Sequence, residues 1–468
     1  MPQALSPVAS KLTARDRSHL IHPWAEFDTF PSEPLLPIVR AEGAYLYDVD
    51  GRRYLDAVGG MWCNNIGAGR ADMADAIAEQ VRTLSFSNIF VDMTHPAAVE
   101  LAEKVTSLAP TGLEHVFFST CGSTAVDTAF RLIQFYQNCR GRTEKKHIIA
   151  RHESYHGSTY AAQSIAGKAA DRIPEFDFIP DLVHHVSAPY DYRRPAGMEG
   201  LSERGFVDAL VREFEQAIEA AGGPGRVAAF FAEPIMGAGG VIVPPRDYLR
   251  RMFEVCRAND ILFVADEVVT GFGRVGHWFA SEDLYGVQPD LLTTAKGITS
   301  GYVPLGATLV SDRVYETISE PGHGRILTTG FTYSAHPVAA AAALENIAIL
   351  ARERLLENAR EVGAYFERQL ATLLDLPIVG NVRGCRMMQC VEFVRDRETR
   401  ELFPEEVRIG KVVSDQADAR GLIVRPIAHQ NVMSPALVID RAGIDFIVST
   451  LRESIVAATR QLEREGVL

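Results

Sequence analysis

From Glu114 onward, short apolar runs alternate with stretches of helical spacing. HVFFS (115–119), HIIA (147–150), VAAFFA (227–232), ILFVA (261–265), LLTT (291–294) and ATLV (307–310) are rich in β-branched and aromatic residues and end at glycine or polar positions. Such runs read as buried strands. Between the first two, Thr124 to Gln137 puts Ala125, Val126, Ala129, Leu132, Ile133 and Tyr136 on one helical stripe. Strands alternating with helices predict an α/β fold, with a mainly parallel sheet covered by helices on both faces.

The flanks differ. Residues 1–40 carry Pro23, Pro31, Pro34 and Pro37 and read as an extended arm with a short helical piece. Tyr45 to Asp56 reads as a hairpin turned at Asp50-Gly51. Helices are expected over Ala71–Leu84 and from Pro96, the latter with Val99, Leu101, Ala102, Val105 and Leu108 on its apolar side. Lys168 to Gly205 is rich in proline and charge and reads as a long excursion. From Pro337 the pattern changes to a long helical segment over Ala339–Leu374, whose spacing also allows an interruption. Short strands follow near Arg386–Phe393 and Leu422–Val424, with helices near Pro404–Arg420 and Ile444–Arg464. Gly421 suits the left-handed position just after the first of these helices. The expected organisation is an arm and part of a smaller α+β domain in 1–70, a large domain in 71–336, and the rest of the small domain in 337–468.

Composition narrows the functional class. The chain has 468 residues, 47% of them hydrophobic, and a net charge of −13. That acidic balance argues against nucleic acid as the main partner and supplies no polybasic membrane patch. No apolar run reaches the length of a membrane span, and the first twenty residues lack the apolar core of a signal peptide. Cys63, Cys121, Cys139, Cys256, Cys385 and Cys390 form no C-x-x-C pair. They read as reduced thiols of a cytoplasmic protein, and no metal site is expected.

The candidate chemistry lies where strands end. In open α/β sheets, ligands sit at the carboxyl ends of the strands. One such end delivers Asp266 and another Lys296. Alone, these residues read as a turn cap and a surface lysine. Offered to one crevice, they suit pyridoxal 5′-phosphate (PLP), whose aldehyde forms a Schiff base with a lysine and whose ring nitrogen an acid keeps protonated. Gly122 and Ser123 follow strand HVFFS and open a helix. A junction of that kind binds phosphate, although Ser123 reads equally as an ordinary N-cap. Tyr155 could stack on a flat ring and His156 lies beside it; unaided, they read as a core aromatic and a surface histidine. Glu233 ends VAAFFA and suits a cofactor hydroxyl, a neighbouring polar group or a turn before Pro234. Val268, two residues after Asp266, falls on the same side of an extended chain.

Taken together, CGSTAVDTA (121–129), SYHGST (154–159), AEPIMGAGG (232–240), ADEVVTGFGR (265–274), TTAKGITSGYVPLGA (293–307) and TGFTYSAHPVAAAAAL (329–344) resemble the class III PLP-dependent aminotransferases over nearly the whole chain. The resemblance implies fold type I, with Lys296 as the Schiff-base lysine and Asp266 as the partner of the ring nitrogen. It puts Val268 on one ring face and Tyr155 on the other, His156 beside it, and Gly122 and Ser123 at the phosphate. Phe331 and Thr332 match a segment that reaches the phosphate from a neighbouring subunit, which implies a homodimer with shared sites.

Two positions point within the family. Where ornithine- and γ-aminobutyrate-type members carry a glutamate that pairs with an arginine, this chain has Ala238. GLIVRPIAH (421–429) resembles the segment that carries a mobile arginine in ω-amino acid:pyruvate and amine:pyruvate transaminases. Arg425 matches that arginine, a clamp for the carboxylate of pyruvate. Trp24, Trp62 and Phe90 match positions lining the substrate pocket, though core or interface packing would also explain them. The implied reaction moves an amino group from a primary amine or ω-amino acid to pyruvate. A 2-oxoglutarate-using aminotransferase, an aminomutase, a decarboxylase and a non-catalytic PLP-binding dimer are the alternatives. Where many members have N-S-G-S-E-A, this chain has Thr120 to Ala125. The change is expected to remove a polar partner at the position of Thr124, and Cys121 is expected to be a buried, inert thiol.

Overall fold

The apolar runs assemble as their composition demands. In the computed structural model, which describes residues 6–468, the strands number fifteen. Near the start of the chain are β1 (Ile38–Glu42), β2 (Tyr45–Asp48) and β3 (Arg53–Asp56). The central sheet uses β4 (His115–Ser119), β5 (His147–Arg151), β6 (Val183–Val186), β7 (Val227–Ala232), β8 (Leu262–Asp266), β9 (Leu291–Thr294) and β10 (Gly306–Val310). Its order is β4-β10-β9-β8-β7-β5-β6. Neighbours run parallel except β10, which is antiparallel to both β4 and β9. Every residue of β7, β8, β9 and β10 is buried, which accounts for unbroken apolar runs rather than alternation. The helix Gly122–Cys139 packs its apolar stripe on this sheet.

The last strands are β11 (Val379–Cys385), β12 (Met388–Phe393), β13 (Leu422–Ile423), β14 (Arg425–Ile427) and β15 (Gln430–Met433). Four form an antiparallel sheet ordered β11-β12-β15-β14. The fifth, β13, joins the other end of the chain: it runs parallel to β3, Leu422 opposite Leu55, and completes the sheet β1-β2-β3-β13. The expected hairpin is β2–β3. The long helical segment is interrupted, as Pro337–Arg352 and Leu355–Ala371, with Arg354 in the left-handed region between them.

The structure departs from the sequence reading in several places. The excursion over 168–205 is not wholly irregular, since β6 lies within it as an edge strand paired with β5. Its VHHV pattern concealed it, because two histidines interrupt the apolar signal. They are accommodated by pairing: His184 Nε2 lies 2.7 Å from His147 Nδ1, and His185 bonds the Ile165 carbonyl. β11 was missed because VGNVRGC is largely half-buried and carries two glycines. Gly421 is left-handed, at φ +83°, but one place later than expected, because the helix already ends at Asp418 and Ala419 caps it. Of the arm expected over 1–40, residues 1–5 lie outside the described residues; the helical piece is Pro7–His19.

One buried arginine ties the distant segments together. Arg274, at the end of ADEVVTGFGR, donates to Asn65 Oδ1 at 2.5 Å and to the Pro435 carbonyl. Asn65 Nδ2 in turn bonds the Phe272 carbonyl at 2.7 Å. Arg274 has no ion-pair partner among the described residues and is fully buried. Arg274→Ala leaves the Asn65 and Pro435 oxygens unpaired and opens a cavity. It is expected to cost about 3 kcal/mol, seen as earlier thermal unfolding of the holoenzyme by calorimetry. An unchanged melting profile would show that the three segments hold together without it.

Candidate active site

Five strand ends meet at one crevice because β4, β5, β7, β8 and β9 all point the same way. They deliver, in turn, Thr120–Ser123, Tyr155–Gly157, Glu233, Asp266 and Lys296. The crevice is a cavity of about 780 Å³, and all of these residues line it. Lys296 follows β9 after Ala295 and sits in the left-handed region, at φ +46°. A non-glycine residue held there carries local strain, of a kind that concentrates at functional sites. Its neighbour must be glycine: a Cβ on Gly297 would stand 2.5 Å from Asn65 Nδ2. Burial pushes the Lys296 amine below the ordinary lysine range, with Asp266 and Glu233 pulling the other way.

The floor is a chain of buried polar groups. Asp266 Oδ2 lies 2.6 Å from His156 Nδ1, and Asp266 Oδ1 accepts from the Val268 N–H at 3.1 Å. His156 is buried, and its Nε2 has no partner among the described residues. Glu233 Oε1 accepts from the Tyr155 N–H at 3.1 Å and Oε2 from the Gly237 N–H at 2.7 Å. Burial raises the Glu233 carboxyl, against the pull of His156. Behind it, the fully buried Arg151 donates to the Glu233 carbonyl at 2.6 Å.

The phosphate turn corrects two expectations. Thr124 does not leave its position without a polar partner. Its Oγ1 accepts from the Cys121 N–H at 2.9 Å, with the Thr120 N–H at 3.1 Å, and so caps the helix from the third position. Cys121 is exposed, not buried, because this cap holds the turn open to the cavity. Ser123 Oγ accepts from the Ser158 N–H at 3.0 Å, which leaves its own proton free to donate. Gly122 packs directly on the Asp266 turn: a Cβ there would come within 2.9 Å of Val268 Cγ1.

Around the mouth stand Trp24, Trp62, Met61, Ala238 and Arg425. Trp62 is buried against Gly237, whereas Trp24 is 65% exposed and meets Tyr155 edge-on at 6.0 Å. Arg425 begins β14 and rests Nη1 on Met61 Sδ at 3.0 Å. It has no carboxylate partner among the described residues, and burial lowers its pKa. Phe90, Phe331 and Thr332 do not line this chain's cavity. They sit together elsewhere, with Phe90 against Gly330, on a face that also exposes Phe86, Val91 and Tyr333.

Several residues of the site were not foreseen. Glu267 is fully buried and accepts from Ala280 N, Ser281 N, Ser281 Oγ and Thr270 Oγ1, so in the Asp-Glu pair only Asp266 serves the cavity. Lys168 and Asp171 line the mouth from the supposed excursion. Their only signal was a pair of opposite charges three residues apart.

The donor set fits PLP. The unpartnered buried His156 Nε2, the depressed Lys296 amine, the carboxylate of Asp266 and the open helix start at Gly122–Ser123 match the four things that cofactor asks of a protein: polar contact, an amine, a ring-nitrogen partner and a phosphate cradle. Among the described residues, no cluster of three or more His, Cys, Asp or Glu could hold a metal, and no helix is long and apolar enough to cross a membrane.

Comparison with known proteins agrees with this geometry. The sequence profile of the aminotransferase class-III family matches residues 30–455. The putrescine–pyruvate aminotransferase of Pseudomonas aeruginosa is 40% identical over 444 residues, which is 94% of this chain and 95% of that one. The diaminobutyrate–2-oxoglutarate transaminase of Halomonas elongata is 38% identical over 464 residues, 98% of each. The omega transaminase from Pseudomonas jessenii, solved in complex with PMP, superposes with a TM-score of 0.93 at 36% identity, covering 97% of this chain and 99% of that one.

Proposed function

The chain belongs to the class III aminotransferases, and from that premise we propose that it moves the amino group of a primary amine or ω-amino acid to pyruvate. It is a PLP-dependent enzyme of fold type I. The acceptor assignment rests on Arg425: a guanidinium lining the cavity without a carboxylate partner, where Ala238 offers no acid to occupy it. A planar fork of donors suits the small carboxylate of pyruvate.

PLP, when bound, supplies the aldehyde that takes up the amino group and a protonated ring that withdraws electrons from the carbon losing its proton. The rest is done by the chain. Asp266, oriented by His156 and the Val268 N–H, would be the partner of the ring nitrogen. Ser123 Oγ and the helix start would hold the phosphate. Val268 and Tyr155, which both line the cavity, would bound the two faces of a ring held there. Glu233 braces the Tyr155 backbone and, lining the cavity, would be the acceptor for a cofactor hydroxyl. Lys296 Nζ, whose neutral form burial favours, would take up the substrate proton as a base and give it back as an acid. Trp24 and Trp62 offer apolar surface at the mouth for the donor's alkyl chain.

The same reading includes a homodimer. Phe331 and Thr332 stand apart from their own chain's cavity, amid exposed Phe86, Phe90, Val91 and Tyr333, and this face is where a second copy would lend them to its partner. Six free cysteines support a cytoplasmic setting.

A donor panel tests the reading. With pyruvate as acceptor, at least one amine should yield alanine together with the matching carbonyl product and no carbon dioxide. Glutamate formed from 2-oxoglutarate, with no alanine from any amine, would overturn the acceptor assignment. Isomerised substrate in place of two products would make the enzyme a mutase.

A further inference from the structure

The mouth of the cavity carries an ion pair for which the proposed reaction has no use. Lys168 and Asp171 pair at 3.4 Å across the short turn Ala169–Asp171, their side chains 20% and 11% exposed. Both line the cavity that holds Lys296 and Arg425. Three carboxylates line it altogether: Asp171, Glu233 and Asp266. Glu233 and Asp266 are committed at the floor to the Tyr155 and Gly237 N–H groups and to His156 and the Val268 N–H. Asp171 is the carboxylate left at the mouth. Its side chain has Lys168 as its contact, at a separation longer than a good charge-assisted hydrogen bond. It is largely shielded from water, where a charge acts more strongly than at an open surface.

We infer that Asp171 is the docking point for the far ammonium of an α,ω-diamine donor, whose near amine is the one transferred. The inference rests on the reaction proposed above and adds the substrate class to it. The exchange is balanced in charge: a substrate ammonium takes the place of the chemically similar Lys168 ammonium on Asp171. Lys168 has a second carboxyl within electrostatic reach, Glu153. A monoamine of the same length gains nothing from Asp171. In the other half-reaction, pyruvate engages Arg425, and Asp171 returns to Lys168. Asp171 is also within electrostatic reach of Arg425, so the carboxylate that reads the far end of the donor also favours the charged guanidinium that meets the acceptor.

The test compares putrescine with butylamine as donors to the holoenzyme, with pyruvate as acceptor, and reads the ratio of their kcat/KM values. Asp171→Asn should lower that ratio about tenfold to a hundredfold, mainly through the KM for putrescine. Asp171→Glu should restore part of it. Lys168→Met, which removes the competing ammonium, should raise the ratio. Opposite signs from the two members of one ion pair are what a purely structural bridge would not give. A ratio unmoved by Asp171→Asn, or moved the same way by both variants, overturns the inference. If wild-type enzyme makes no alanine from either donor, the pyruvate assignment is what fails; the ratio is then read with 2-oxoglutarate, and its dependence on Asp171 decides this inference separately.

Discussion

Lys296→Ala is expected to lower the rate of amino transfer by about four orders of magnitude or more, while the protein still folds and still binds PLP. The size follows from two roles lost together, covalent attachment of the cofactor and general acid–base transfer, the second alone worth about 10²–10⁴-fold. Retention of the cofactor follows from the remaining contacts. Asp266 with His156 at 2.6 Å, and the turn at Gly122–Ser123 with its Thr124 cap, do not depend on the lysine. Lys296→Arg sharpens the test. Arginine keeps the positive charge but does not give up its proton, so it cannot act as the base. If charge alone mattered at this position, Arg would preserve activity; the expected result is that it is as poor as Ala. Cofactor content after gel filtration and borohydride fixation, with alanine formation from pyruvate, separate the outcomes. Near-normal turnover in either variant would remove Lys296 from the reaction. The wild-type pH profile adds a directional check. Burial depresses the Lys296 amine, so the rise in kcat that follows its deprotonation should lie below the range of an exposed lysine.

The parts of this site that were legible in the sequence are those held by backbone geometry. Parallel strands must end at a common edge, so a reader who finds ILFVAD and LLTTAK already has Asp266 and Lys296 facing one crevice. The fold was legible for the same reason: β7 to β10 are buried on both faces, and composition shows it. What stayed hidden depends on side chains meeting across long separations. Nothing in Glu267 distinguishes it from Asp266 until the helix start at Ala280 arrives beside it. Thr124 looked like a lost partner because its hydroxyl reaches backward to the N–H groups of Thr120 and Cys121, which residue type alone does not reveal. Lys168 and Asp171 were hidden by their surroundings, a segment rich in proline and charge whose one strand is interrupted by paired histidines. Phe90, Phe331 and Thr332 show the limit in the other direction. Resemblance gives Phe331 and Thr332 to a neighbouring subunit's site, and in a single chain they stand with Phe90 outside the cavity, so their role is legible only with a second copy.

Arg425→Ala should cost the acceptor half of the reaction far more than the donor half. Its guanidinium pairs with no carboxylate among the described residues, and it rests only on a thioether, which binds weakly. A keto acid that docks there exchanges that weak contact for charge-assisted hydrogen bonds in a partly desolvated site, and removing them is worth about a hundredfold in kcat/KM for pyruvate. Lys168 is the other cation at the mouth, but Asp171 engages it, so it makes a poor substitute. Arg425→Lys should recover only part of the loss, since an ammonium cannot present the two parallel donors. Single-turnover measurements on the holoenzyme divide the halves. The rate with butylamine alone reports the donor half; the rate at which the aminated enzyme consumes pyruvate reports the acceptor half. The backbone of Arg425 pairs with Val432 in β14–β15 and is unaffected by truncating the side chain, so a fold defect would slow both halves alike. Equal losses would mean that Arg425 only shapes the mouth. A loss confined to pyruvate makes it the clamp, and the absence of an acid at Ala238 then explains how one arginine can be held ready for the acceptor while Asp171 remains available to the amine.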